Sequence, residues 1–253
     1  MNHDKKIAIL IDAENAQLKS LGSILTELSK HGHIIVKRAY GDWSSNHLKN
    51  WKKTMNELVI QPIQQFSYTQ GKNSSDAALI IDAMDLLYSG KFDAFAIVSS
   101  DSDFTPLASR LKESQIHVYG VGENKTPSSF KNACDNFIYV EVLRELDSEA
   151  DESKSPKAKA KPKTKDIKKD TKLINLLRNA MEDCADEDGW AALAECGGLI
   201  KKQLPDFDPR NYGYTKLSTL IQDTNLFEMW KKTIEHSGKK VIFFRDTKKY
   251  GER

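Results

Sequence analysis

The sequence predicts an α/β domain, a parallel sheet with helices on both faces, followed by a small C-terminal winged helix-turn-helix. Three observations carry this. Over residues 1–146 short apolar runs alternate with longer amphipathic stretches, the pattern of parallel strands joined by right-handed helical crossovers. Residues 147–168 hold almost no large apolar side chain except Ile167, so ordering them would cost more entropy than burial returns, and a disordered Lys-rich linker is expected. Residues 169–253 then show three helical stretches and a two-strand wing.

In the first part, "KIAILI" (6–11), "HIIVKRAYG" (33–41), "LVIQPIQQF" (58–66), "AFAIVSS" (94–100), "IHVYGVG" (116–122) and "FIYVEV" (137–142) read as strands. The near-continuous apolar character of "IAILI" and "FAIV" fits strands covered on both sides. Between them, "SLGSILTELSKHG", "NHLKNWKKTMNELV", "SSDAALIIDAMDLLYSG", "FTPLASRLKESQ" and "PSSFKNACD" have helical spacing or small-residue faces. Gly32 and Gly90 stand where helices end and favour a left-handed terminus. In the last part, Leu173, Leu176, Leu177 and Ala180 mark one helix. Trp190, Leu193, Leu199 and Ile200 mark a second, and Leu217, Leu220 and Ile221 a third. "LFEMWKK" and "KVIFFRD" form the wing.

Composition excludes several classes. Of 253 residues, 39% are hydrophobic and 29% charged, with a net charge of +2. No apolar run approaches the roughly 20 residues that cross a bilayer, so no membrane partner is expected. The N-terminal apolar stretch runs into Asp12 and Glu14 and reads as a strand, not a signal peptide. Cys134, Cys184 and Cys196 are odd in number and carry no C-x-x-C spacing. A disulfide framework and a zinc site are therefore not expected, and a cytoplasmic location fits. The nine lysines from Lys154 to Lys172 would raise local polyanion concentration without specificity; a solubilising hinge is the plainer alternative.

In parallel sheets functional groups gather at the carboxyl ends of strands. Asp12 and Asn15 follow the first strand in "ILIDAEN", Asp101 and Asp103 follow the fourth in "IVSSDSD", and Asp76 opens the helix before the fourth strand. Carboxylates from three elements repel unless a cation joins them. An all-oxygen set without histidine or cysteine suits Mg²⁺ or Mn²⁺. The chemistry that follows is metal-assisted hydrolysis of a phosphodiester by water, leaving a 5′-phosphate. Asn15 would position water or the scissile phosphate, and Lys72 in "QGKNSSD" would contact substrate backbone. Each aspartate also has a plainer role. Asp103 is placed to cap the helix opening at Phe104, and Asp76 to favour a helix N-terminus. Asp82 and Asp85 read as solvent-facing.

Together, "ILIDAEN", "GKNSSDAALIIDAMDLL", "FAIVSSDSDFTPLASRLKESQIHVYGVG" and "SSFKNACDNFIYV" resemble the NYN domain of the LabA-like family, a branch of the PIN-like nucleases, over residues 5 to 143. The resemblance implies a PIN-like α/β sandwich with a metal-dependent ribonuclease site. The family's acidic positions fall on Asp12, Asp76, Asp101 and Asp103 as metal ligands, and its asparagine on Asn15. Its pattern also holds an aspartate where Asp82 stands, although helical spacing turns Asp82 away from Asp76. PIN-like domains often pair, so the resemblance admits a homodimer.

"GWAALAECGGLIKKQ" with "DFDPRNYGYTKLSTLI" resembles the OST-HTH (LOTUS) domain over residues 169 to 246. That implies RNA binding, to single-stranded or structured RNA, or docking of a protein partner. Arg210, Tyr212, Tyr214 and Lys216 offer charge and stacking surfaces to RNA, while anchoring of the helix by Tyr212 and Tyr214 is the alternative. A helix-turn-helix can also read DNA. The sequence thus reads as a metal-dependent ribonuclease with an RNA-presenting module. The rivals are a catalytically silent RNA-binding adaptor and a phosphoryl-transfer domain. The phosphoryl-transfer reading lacks the Asp-x-Asp of an aspartyl nucleophile, since the first strand ends in Asp-Ala-Glu-Asn.

Overall fold

The computed structural model describes residues 4–66, 74–145, 167–233 and 240–250. Contacts divide the chain into two units, residues 1–156 and 157–253. The first unit holds six strands: β1 (Lys5–Asp12), β2 (Gly32–Gly41), β3 (Gln61–Gln64), β4 (Ala94–Val98), β5 (His117–Gly122) and β6 (Asn136–Tyr139). All pair in parallel, in the order β3-β2-β1-β4-β5-β6.

The period-2 geometry of β1 splits its apolar run between two layers. Ile7, Ile9 and Ile11 face one core, packed with Leu21, Ile24 and Leu28 of α1 (Leu21–Ser29) and Trp51 and Met55 of α2 (Trp51–Leu58). Ala8 and Leu10 face the other, with Leu79 and Ala83 of α3 (Ser74–Tyr88), Leu107 and Leu111 of α4 (Thr105–Glu113), and Phe130 of α5 (Ser128–Ala133). Each fully buried Ile, Leu or Phe side chain contributes about 1.5 to 3 kcal/mol, which is why β1 is apolar from Ile7 to Ile11 and β4 throughout.

Three boundaries differ from the sequence reading. Leu58 ends α2, and Val59 caps it at φ 52 in the left-handed region, so β3 starts only at Gln61. β6 stops at Tyr139, and residues 140–145 (α6) turn helical. Gly90 does follow α3 with φ 65, but Gly32 instead opens β2 near-extended at φ 159. What requires glycine at 32 is space: a Cβ there would lie 2.2 Å from the Lys5 carbonyl oxygen.

The second unit packs α7 (Thr171–Cys184), α8 (Leu193–Gln203) and α9 (Leu217–Thr224) around Leu177, Ile200, Leu220 and Phe244. The Asp170 side chain caps α7 by accepting from the Leu173 N–H, an interaction worth about 1 kcal/mol. The wing is β8 (Phe227–Thr233) antiparallel to β9 (Lys240–Asp246), followed by the short α10 (Thr247–Tyr250). A third strand absent from the sequence reading, β7 (Ala191–Ala192), pairs with β9. Ile167, placed in the linker by the sequence, is buried in this core. Residues 147–166 of that linker lie outside the described residues.

Candidate active site

Strand connections run outward from β1 in one direction and from β4 in the other, so the carboxyl ends of β1 and β4 form the switch point at which open α/β sheets place their sites. Ile11 pairs with Val98, and that register brings the next residues, Asp12 and Ser99, side by side. The Asp12 carboxylate is 1% exposed and accepts four hydrogen bonds. Oδ1 takes the backbone N–H of Glu14 (3.2 Å) and of Asn15 (3.3 Å). Oδ2 takes Asn15 Nδ2 (2.8 Å) and Ser99 Oγ (2.7 Å). Ser99 Oγ in turn accepts the Asp101 N–H at 3.1 Å. One buried hydroxyl thus links the aspartates of two strands.

Asp101 caps the short 3-10 turn Ser102–Phe104 by accepting the Asp103 N–H at 2.9 Å. The capping role expected of Asp103 therefore belongs to Asp101, because the helical turn begins two residues earlier. Asp103 is left as an exposed first-turn carboxylate. Ser100 Oγ accepts the Glu123 N–H at 2.8 Å and fastens this loop to the end of β5. Asp76 lies in the first turn of α3, partly buried. Burial pushes its carboxyl up to about 6, with the charges of Asp12, Asp101, Glu14 and Asp103 adding to the rise. The five carboxylates therefore share one electrostatic neighbourhood.

Two of these residues gain partners the sequence did not suggest. The Asn15 side chain, at an exposed position, donates its amide N–H to Asp12 and so also orients that carboxylate. Asp82, read as solvent-facing, is half-buried and accepts from both the Tyr40 hydroxyl and Arg38. Tyr40 is itself fully buried and pairs with Asp12 in the β2–β1 register. Burial first, then Asp82, keeps the Tyr40 phenol protonated far above its usual range. Asp82 thereby pins α3 to β2 about 9 Å along the helix from Asp76, a positioning role. Lys72 lies outside the described residues.

Beside this edge opens a cleft of about 390 Å³ lined by Trp43, Leu48, Lys49, Lys52, Met55 and Gln64, a volume suited to a small-molecule-sized group. Gly41 separates it from the acidic loop: a Cβ there would meet Leu48 Cδ1 at 2.7 Å and Glu14 Cγ at 3.9 Å. Among the described residues no three His, Cys, Asp or Glu side chains stand close enough to enclose a cation unaided. The donors are all oxygen and mutually repelling, a chemistry suited to a hard divalent cation.

In the second unit, Arg210 is held by Asp208 through Nε (3.0 Å to each oxygen) and Nη2 (2.7 Å). Tyr212 and Tyr214 pack against the core, Tyr212 beside Phe207, and burial with an Asp223 hydrogen bond raises the Tyr214 phenol. These are the contacts of the anchoring alternative, and both tyrosines remain partly exposed. Lys216 is exposed at the start of α9. The three cysteines are free thiols, and burial pushes Cys134 up to about 12.

Residues 6–143 match the NYN domain model. The chain belongs to the NYN family. NYN domains are part of the PIN-like nuclease superfamily, whose members generally use divalent metal ions. Residues 167–236 match the OST-HTH/LOTUS domain, a module associated with RNA binding. A relative, the uncharacterised protein MJ0482 of Methanocaldococcus jannaschii, is 29% identical over 157 residues, 60% of this chain and 62% of that protein. The match thus spans less than two thirds of the relative's length. A crystal structure of a protein of unknown function, VPA0982 from Vibrio parahaemolyticus, aligns with TM-score 0.47 and 17% identity, covering 55% of this chain and 94% of that one. A solution structure of the uncharacterised protein from locus NE0665 of Nitrosomonas europaea aligns with TM-score 0.30 and 35% identity, covering 37% and 85%. In this NYN chain no described helix is long and apolar enough to cross a membrane.

Sequence reasoning missed Ser99, Ser100 and Glu14 as parts of the NYN edge. The signal for them was present: all three adjoin the quoted aspartates at strand ends, where a buried run has no reason to turn polar.

Proposed function

We propose that this NYN protein is a metal-dependent ribonuclease whose acidic edge hydrolyses RNA phosphodiesters. The observation that carries the reading is the Ser99 hydroxyl that joins Asp12 at the end of β1 to Asp101 after β4, beside Asp76 of α3, whose carboxyl is raised by burial and by the charges of Asp12, Asp101, Glu14 and Asp103. A fold keeps such repulsion for a purpose more readily than by accident. Asp12, Asp76, Asp101 and Asp103 would hold Mg²⁺ or Mn²⁺, which when bound lowers the pKa of a water and stabilises charge at phosphorus. Asn15 and Ser99 keep the Asp12 carboxylate in place. Lys49 and Lys52 in the adjoining cleft would take substrate phosphates, and Trp43 would offer a ring to a base. The OST-HTH unit would hold the RNA.

The test is cleavage of end-labelled single-stranded and hairpin RNA in Mn²⁺, Mg²⁺ or EDTA by wild type, Asp12→Asn and Asp101→Asn. Metal-dependent cuts with 5′-phosphate ends, reduced at least about 1,000-fold in both variants, are expected. Ends carrying 2′,3′-cyclic phosphate would rule out water as the nucleophile. One observation favours the silent-adaptor alternative: Asp12 already accepts four hydrogen bonds. RNA binding without cleavage in any metal would select it.

A further inference from the structure

The wing of the OST-HTH unit has two chemically different faces. In β8 and β9 alternate residues point to opposite sides. Phe227, Met229 and Phe244 pack on the core. The other side carries Trp230 and Lys232 on β8, and Phe243 and Arg245 on β9, with Trp230 directly opposite Phe243 in the register. Trp190, just ahead of β7, completes this face. Its ring lies 5.8 Å from Trp230, which lies 5.8 Å from Phe243. Trp230 is 46% exposed, among the few large apolar side chains left open to solvent.

Cations frame these rings. Lys232 Nζ sits 5.6 Å from the Trp230 centroid, and the Arg245 guanidinium 4.6 Å from that of Trp190. Arg245 is also paired with Glu228 at 2.8 Å, which fixes its plane over the indole. A row of aromatic faces bordered by positive charge complements a flexible polyanion that carries its own π-faces. An apolar protein segment would gain from the rings but would leave Lys232 unmatched.

We infer that the outward face of the wing, Trp190, Trp230 and Phe243 with Lys232, is a stacking platform for unpaired bases of single-stranded RNA. This rests on the reading of the OST-HTH unit as the RNA-holding part of the protein, and it relocates the contact from Arg210, Tyr212 and Tyr214 to the wing.

The test is equilibrium binding of a fluorescein-labelled 12-nucleotide single-stranded RNA, and of its duplex, to the full chain in EDTA, where turnover plays no part. Trp230→Leu keeps apolar bulk but has no π-face, whereas Trp230→Phe keeps one. The expected result is a loss of about tenfold or more in affinity for single strands with Trp230→Leu, near-wild-type binding with Trp230→Phe, and a smaller effect on duplex. Lys232→Ala should flatten the slope of log affinity against log salt by about 0.7. Equal single-strand affinity for the Leu variant and wild type overturns the proposal, as does equal loss in the Leu and Phe variants. An unchanged RNA affinity alongside loss of a bound protein would assign the face to protein docking and equally overturn it. If no metal supports cleavage yet the Leu and Phe variants differ as stated, the nuclease reading fails and the platform stands.

Discussion

Ser99 Oγ donates to Asp12 Oδ2 at 2.7 Å across 87 residues of sequence, and the same oxygen accepts the Asp101 N–H at 3.1 Å. Two strands that share no local signal are thereby locked in phase by a hydroxyl that is 2% exposed. Ser99→Ala is expected to cost about 1 to 2 kcal/mol in denaturant unfolding, because a buried acceptor loses its donor. It should also weaken Mn²⁺ binding by about 10- to 100-fold in calorimetric titration, since the carboxylates lose their relative orientation. Lost stability with unchanged Mn²⁺ affinity would reduce Ser99 to a packing role.

Asp76 makes a second prediction, about pH. Its carboxyl is raised to about 6 by burial and by the neighbouring carboxylates, whereas in the unfolded chain it titrates near ~4. Between those values the native state keeps a proton that the unfolded state has released, so this group's contribution to stability declines as pH rises through that window. A rise of this size corresponds to about 3 kcal/mol, and partial exposure of Asp76 reduces that to about 1 kcal/mol. Asp76→Asn should therefore be about 1 kcal/mol more stable than wild type at pH 8 and equal to it at pH 4. Thermal melts at the two pH values decide this. Saturating Mn²⁺ at pH 8 should raise the wild-type midpoint more than that of the variant.

Asp82, Arg38 and Tyr40 form a half-buried group that fastens α3 to β2. Asp82→Ala is expected to cost about 2 to 3 kcal/mol and Tyr40→Phe about 1 kcal/mol, because each strands a partner that has lost its hydrogen bond. The double variant should cost less than the two losses added, since they remove one shared interaction. Mn²⁺ affinity of folded Asp82→Ala should stay near wild type; a large drop would move Asp82 into the metal-binding set.

For the cleft beside the acidic edge, Lys49→Ala with Lys52→Ala should raise KM for single-stranded RNA and leave kcat nearly unchanged, because phosphate contacts bind ground and transition states alike. Two lost phosphate contacts should flatten the salt slope by about 1.4. A fall in kcat at constant KM would place these lysines against the reacting phosphate instead.

Val59 caps α2 in the left-handed region at φ 52 while 75% exposed. A β-branched residue there costs about 1 kcal/mol or more relative to glycine. Val59→Gly, which sacrifices little packing, should raise the unfolding midpoint with no change in cleavage.

Val59 also marks where sequence stops being informative. A β-branched residue beside "IQPIQ" reads as strand, and only the closure of α2 against the sheet holds it in a helix cap. The sequence by itself placed the strands of the sheet, most firmly β1 and β4, because full burial on both faces leaves an unbroken apolar record there. It also determined the acidic ends of β1 and β4 and the start of α3, because those charges interrupt that record. The three-dimensional arrangement decided what depends on register and on distant partners. Examples are Ser99 meeting Asp12, Asp82 turning inward to Tyr40, and Asp101 displacing Asp103 as the cap. In the second unit it turned Tyr212 and Tyr214 toward the core and left Trp230 facing solvent. Local periodicity cannot separate these outcomes for aromatic residues, since a ring covers a core or meets a ligand with the same apolar surface, and only pairing across the sheet determines which face it takes.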